Sequence, residues 1–169
     1  AKGDLILLTR APDLRQAQNT SNIKDIRIWV DKDGANPTDD LKLILNELNL
    51  DNKKIGIEYE AYGMTGRNAL RLNKSLENYC DVEDQSELIT KLRVIKSNEE
   101  IVFVKKAAGL ADQALDEAWK YTKAGASEAK ILAEMQRIIF EGGGDYPANE
   151  FIIGSGHNAL LCRYQAEKR

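Results

Sequence analysis

Short β-like runs alternate with amphipathic stretches over the first half of the chain, and longer helical periods fill the second. Leu5-Ile6-Leu7-Leu8 is an apolar run with the length of a buried strand. Pro12 comes next, where a first helical turn tolerates proline, predicting a helix from Asp13 to Asn19. Ile26-Arg27-Ile28-Trp29-Val30 alternates with period two, as a half-buried strand does. The turn-rich segment Asp31 to Pro37 ends it. Thr38 is then the predicted N-cap of a helix whose apolar face is Leu41, Ile44, Leu45 and Leu48. Lys54 to Glu58 reads as a strand, Thr65 as the cap of a helix carrying Ala69, Leu70 and Leu72, and Tyr79 to Val82 as a weaker strand. Strand–helix alternation of this kind predicts an α/β layer with largely parallel pairing.

The pattern changes near Glu83, and from Leu88 onward it is mostly helical. Ser97-Asn98-Glu99-Glu100 has the spacing of a capping box. A long helix then carries Ile101, Val104, Ala108, Ala111, Leu115 and Ala118 at intervals of three and four. Gly125 suits a left-handed C-terminal cap. Ser127 opens a second helix with the stripe Ile131, Leu132, Met135, Ile138 and Ile139, broken by Gly142-Gly143-Gly144. Phe151-Ile152-Ile153 predicts a buried strand leading into the loop Gly154-Ser155-Gly156-His157-Asn158. The domain division expected from this change is 1–84 and 85–169.

Composition narrows the classes of function. The 169 residues include 24 basic and 27 acidic side chains, a net charge of −3, and 43% are hydrophobic, the profile of a folded domain. Residues 1–93 carry 14 basic and 16 acidic groups and residues 94–169 carry 10 and 11, so no basic lobe exists to neutralise phosphates. Nucleic acid is therefore not an expected partner. No apolar run approaches the roughly 20 residues of a membrane span, so a membrane is not expected either. Two distant cysteines, Cys80 and Cys162, with no CxxC pattern, point to free thiols and a cytoplasmic setting.

The residues themselves name no reaction. His157 is the single histidine, which excludes a multi-histidine zinc site in this chain. The acidic pairs Asp39-Asp40, Glu99-Glu100 and Asp116-Glu117 diverge around a helix and cannot chelate together. Gly142-Gly143-Gly144-Asp145 reads as a helix exit rather than a phosphate cradle, because no GxGxxG and no Lys-Ser/Thr pair accompanies it. Cys162 lies beside Arg163, whose charge can lower a thiol pKa, but no histidine base stands near it in sequence. Trp29 and Trp119 fall on apolar faces and read as core, while His157 reads as an exposed loop residue.

The segment Leu92-Arg93-Val94-Ile95-Lys96-Ser97-Asn98-Glu99-Glu100-Ile101 resembles the junction of the creatinase/prolidase/aminopeptidase P family, the pita-bread metallohydrolases. There an R-x-I-K-S-x-x-E-I stretch leads from the amino-terminal domain into the first catalytic helix. Ala107 to Asp112 is similar to that family's first-helix signature, and Ala124-Gly125-Ala126-Ser127-Glu128 to its G-x-T/S-E break. Phe151 to Ala159 resembles the strand and S-G-x-N-A loop that approach the active site, and Lys54 to Glu58 the I-G-x-E strand of the creatinase-type amino-terminal domain. The implied fold class is α/β: a partial creatinase-type N-terminal α/β domain, then the first helices and strand of a pita-bread α+β domain. The chain then looks like an internal fragment, its start at Leu5 standing within a domain and the family's metal ligands lying beyond the position of Arg169.

The resemblance also implies a function. The parent protein is expected to be a hydrolase cleaving a C–N bond in an Xaa-Pro dipeptide or a creatine- or ectoine-like metabolite. Gly156, Asn158, Arg163, Tyr164 and Arg169 are the expected substrate-binding residues. In the family's H-Y-x-x-x-x-R segment the histidine binds substrate and transfers protons, and here Arg163 stands in its place. Arginine stays protonated at working pH and cannot shuttle protons, but its planar fork can clamp a carboxylate. No metal is expected in this chain, and a divalent ion (Mn, Zn or Co) is expected to belong to the full-length protein. A homodimer is the expected assembly, since the stripes at Ile101–Ala118 and Ile131–Ile139 would be only partly covered here. The competing expectation is a non-catalytic relative serving as a binding or scaffold module.

Overall fold

The structure is a computed structural model and describes residues 3–164. The chain divides into two compact units between Val94 and Ile95, where the expected boundary was 84/85. The first unit holds β1 (Ile6–Arg10), α1 (Leu14–Thr20), β2 (Asp25–Trp29), α2 (Pro37–Glu47), β3 (Lys54–Ile57), α3 (Gly66–Leu76), β4 (Asp81–Asp84) and α4 (Leu88–Val94). The second holds α5 (Asn98–Tyr121), α6 (Glu128–Glu141) and a 3₁₀ turn, Gly156–Leu160.

Both strand pairs are parallel, as the alternation predicts. In β1–β2, Ile6 stands opposite Asp25 and Arg10 opposite Trp29; in β3–β4, Lys54 stands opposite Asp81 and Ile57 opposite Asp84. Each pair is joined through a helical crossover, α1 or α3, the connection that parallel strands require. The core of the unit is Leu45, Ile57, Leu72 and Leu76, with Leu41, Ile55, Met64, Tyr79 and Val82 packed around it. Leu76 is 2% exposed. Helices α2 and α3 bring this core together, and Lys42 on α2 ties them by donating from Nζ to the Ser75 carbonyl at 2.8 Å.

Local chemistry sets the helix ends. The cap of α2 is Asn36, not Thr38, and Pro37 takes the first helical position, where a fixed φ and a missing N–H cost nothing. Its C-terminus is closed by Asn49 at φ 53°, with Leu50 N–H donating to the Leu45 carbonyl at 3.1 Å. Thr65 caps α3 as expected, its hydroxyl accepting from the Asn68 N–H at 3.2 Å. The strand expected at Tyr79–Val82 lies two residues later, at Asp81–Asp84, because Asn78 (φ 57°) and Tyr79 are spent leaving α3.

In the second unit the capping box is formed: Glu100 N–H donates to Ser97 Oγ at 3.1 Å, and Ser97 N–H donates to Glu100 Oε2 at 2.7 Å. The hairpin closes on a different face of α5 from the one its longest stripe predicts. Ala114 is buried and Leu110 packs against Gly142 and Gly144, whereas Ile101, Val104 and Leu115 remain 38%, 52% and 54% exposed. Small Ala114 lets α6 approach closely, and Ile131 is buried on the facing helix. Trp119 is 70% exposed and is not core. The α6 stripe is covered as predicted, with Leu132, Met135, Ile138 and Ile139 half-buried beside Ile131.

Two glycine segments set the course of the chain as it leaves α5 and α6. Gly125, at φ 80°, does not cap α5, which ends at Tyr121; it is the third residue of a turn in which Ala126 N–H donates to the Lys123 carbonyl at 3.0 Å. Gly142-Gly143-Gly144 closes α6 as a Schellman motif: Gly143 is left-handed at φ 79°, and Gly144 N–H donates to the Ile139 carbonyl at 2.8 Å. Phe140 and Tyr146 meet edge-to-face with centroids 5.0 Å apart, holding the departing chain against the end of the helix. The strand expected at Phe151–Ile153 has no ladder among the described residues. Phe151 and Ile153 are half-buried but Ile152 is exposed, so the segment is not the buried strand expected.

Candidate functional site

The loop after Ile153 carries most of the sequence-predicted site residues. Gly154 lies so close to the next turn that a Cβ there would stand 2.4 Å from the Asn158 carbonyl oxygen, leaving room for glycine only. Gly156, at φ 56°, turns the chain into the 3₁₀ segment Gly156–Leu160. Within it Asn158 N–H donates to the Ser155 carbonyl at 3.1 Å, and Leu161 N–H donates to the Asn158 carbonyl at 3.0 Å. Three consecutive constraints therefore fix where Asn158 stands.

Asn158 is half-buried, and its side-chain Nδ2 is buried with no hydrogen-bond partner among the described residues. A buried donor without an acceptor is costly unless something meets it. His157 is exposed, as its loop position predicts. Beyond the turn, Cys162 and Arg163 are exposed and Tyr164 is half-buried. Arg163 makes no ion pair among the described residues, so its guanidinium fork is open to a ligand carboxylate there. Of the predicted set, Gly156, Asn158, Arg163 and Tyr164 thus fall on one short stretch, while Arg169 lies outside the described residues.

Glu128 is the contact that the sequence motif contained without revealing a role. It is the first residue of α6, and its Oε1 accepts from the Ser155 N–H at 2.6 Å and from the Ser155 hydroxyl at 2.5 Å. A carboxylate at a helix N-terminus also complements the helix dipole. The spacing of 27 residues between the partners is what hides the pair from local pattern reading.

The described residues contain no group of three or more His, Cys, Asp or Glu arranged to hold a metal ion. They do not fit a divalent cation, and any such ion would need ligands from outside them. The two cysteines are free thiols. Burial, and then the negative charge of Asp81, push the Cys80 thiol above its ordinary range, the reverse of what a nucleophilic thiol needs. No described helix is long and apolar enough to cross a membrane.

The first unit has a separate cavity of about 310 Å³, walled by Leu8, Pro37, Leu41, Met64 and Leu72. Asn36 Oδ1 and Thr38 Oγ1 are buried without partners in its lining. None of the predicted site residues borders it.

Comparison with known proteins places both units. Residues 1–95 match the Creatinase/Prolidase N-terminal domain family, and residues 103–169 match Metallopeptidase family M24. An Xaa-Pro dipeptidase of Pyrococcus furiosus is 32% identical over 88 residues, covering 52% of this chain and 25% of that protein. An Xaa-Pro dipeptidase of Pyrococcus horikoshii is 30% identical over 110 residues, covering 64% of this chain and 30% of that protein. A solved prolidase structure from Pyrococcus horikoshii matches with a TM-score of 0.70 at 24% identity, over 97% of this chain and 43% of that one. The chain thus matches less than a third of the length of these curated relatives. The expected order, a creatinase-type α/β domain and then the start of a pita-bread domain, is the order found.

Proposed function

This chain belongs to the creatinase/prolidase family, and on that premise we propose that its full-length protein is a pita-bread hydrolase that binds the carboxylate of a small substrate through Arg163. The observation that carries the reading is the 154–164 stretch itself. A pinned turn leads to an exposed arginine, which stands where the family's motif has a proton-transferring histidine.

The side chains dictate the chemistry. Arg163 holds a carboxylate through two parallel N–H···O bonds. Gly156 keeps the backbone open at that point, and Tyr164 lines the pocket mouth. Arg163 moves no proton at neutral pH, so proton transfer during C–N cleavage falls to other groups. That favours an anionic or zwitterionic substrate, an Xaa-Pro dipeptide or a creatine- or ectoine-like compound. A divalent metal, Mn, Zn or Co, would polarise the scissile carbonyl from a site outside these residues. The free thiols suit a cytoplasmic protein, and the exposed apolar positions of α5 suit a homodimer.

The test is turnover by the full-length protein with Xaa-Pro dipeptides, creatine and ectoine, with metal supplied and with metal withheld. We expect hydrolysis of at least one, and a KM for that substrate raised roughly tenfold or more by Arg163→Ala, the scale of a lost charge-assisted contact. No turnover under either condition overturns the hydrolase and leaves the binding or scaffold module that the lost histidine also allows.

A further inference from the structure

We propose that Glu128 is the positioning residue of the 154–160 turn, and that it acts on Asn158 through Ser155. One carboxylate oxygen takes both the N–H and the hydroxyl of Ser155, at 2.6 and 2.5 Å. The carbonyl of the same Ser155 takes the Asn158 N–H at 3.1 Å. Two links therefore connect the first residue of α6 to the residue whose side-chain donor is buried and unpartnered.

The role is not helix capping. Ser127 is the N-cap of α6 and makes no side-chain cap bond, and Glu128 spends its Oε1 on a residue 27 positions away. A charged acceptor is also the stronger choice here, since hydrogen bonds to an ionised oxygen are about twice as strong as neutral ones. Among the described residues no strand ladder at Phe151–Ile153 holds the entry of the loop. Gly154, with no space for a Cβ against Asn158, and Gly156, left-handed, shape the turn, and Glu128 fixes it to the hairpin.

The functional weight of this device rests on reading the loop as substrate-facing, but its geometry can be tested alone. Amide hydrogen exchange is measured by NMR in the 169-residue chain and in Glu128→Ala, Glu128→Gln and Ser155→Ala. In Glu128→Ala we expect Ser155 and Asn158 amides to exchange roughly tenfold faster or more, as loss of a charge-assisted hydrogen bond implies, with α6 amides from Leu132 to Ile139 unchanged. Glu128→Gln keeps an acceptor oxygen and should restore part of the protection, and it serves equally should the alanine variant fail to fold. Ser155→Ala loses only the hydroxyl bond and should fall between the wild type and Glu128→Ala. Unchanged exchange at Ser155 and Asn158 in both Glu128 variants overturns the proposal, and so does an equal loss of protection along α6. Faster exchange together with no turnover by the full-length protein upholds the clamp and removes the substrate reading.

Discussion

The two units stabilise themselves by different means. In the first, α2, α3 and β3 converge on a closed core, with Ile44, Leu45, Ile57, Leu72 and Leu76 all buried. In the second, a helix of 24 residues and one of 14 share a seam whose buried members among the described residues are Ala114 and Ile131. Helix α5 instead leans on local devices: the Ser97–Glu100 capping box, a Lys120–Glu117 pair at 2.8 Å and an i, i+4 bond from Gln113 to the Gly109 carbonyl at 3.0 Å. Tertiary burial therefore dominates in one unit and local helix chemistry in the other. Amphipathic stripes occur in both sequences, so the presence of a stripe alone does not reveal which faces find partners.

The largest effect should come from breaking the closed core. Leu76→Ala removes a side chain that is 2% exposed, and should lower the stability of the first unit by about 3 kcal/mol through lost transfer energy and the cavity left behind. Leu115→Ala, on the open face of α5, should change stability by no more than about 0.5 kcal/mol. Urea unfolding read at Trp29 for the first unit and by amide exchange for α5 would check the pair. Equal costs would erase the contrast between the units.

Next in size is the cap of α5. Ser97→Ala breaks the reciprocal bonds with Glu100 and should cost about 1 kcal/mol, seen as faster amide exchange in the first turns of α5. The Trp29 transition should not move. A shift there would show that the local device in one unit supports the other.

How far the sequence anticipated this depends on where the partners lie. The Thr65 cap, the capping box and the α6 stripe arise from residues a few positions apart, and each is present. Parallel pairing joins positions 19 and 27 apart, yet it was legible because strand–helix alternation encodes it. Contacts that no such pattern encodes were not legible. The α5 sequence carries apolar residues on more than one face, and only the presence of α6 selects the Ala114 face over the Ile101–Leu115 stripe. Phe151–Ile153 has the apolar run of a buried strand, but a strand also needs a neighbour, and none stands beside it among the described residues. In the candidate site, Gly156, Asn158, Arg163 and Tyr164 are proposed through motif resemblance. The Glu128–Ser155 bond is not, because it joins positions 27 apart that no local periodicity couples.

A smaller effect on stability, with a larger one on assembly, is expected at the open face. Phe103 and Trp119 are 69% and 70% exposed on α5. Phe103→Ser with Trp119→Ser should leave stability within about 0.5 kcal/mol, while lowering the self-association of the chain measured by light scattering across a concentration series. A wild-type chain that is monomeric at every concentration would remove the homodimer reading.

The smallest effect is acid sensitivity, and it has a definite sign. In the first unit, the Arg27 hydrogen bond holds Asp25 below the ordinary carboxylate range, the Ser86 hydroxyl does the same for Asp84, and Lys91 does so for Glu87. In the second, Glu99 is lowered by a backbone N–H and by Ser97. A carboxyl whose folded pKa is depressed stabilises the fold above its unfolded pKa, and that stabilisation disappears as pH falls through the folded value. Asp84, Glu87 and Glu99 are exposed and Asp25 is half-buried, so solvent screens each contribution. Between pH 7 and pH 5 these groups should leave the urea midpoints of both units unchanged. Below about pH 4, where unfolded carboxyls begin to take up protons, the Trp29 transition should fall more than the α5 exchange transition. Asp84→Asn should flatten part of the fall at Trp29 and leave α5 alone. Equal flattening in both units would mean that the acid response is not local to these bonds.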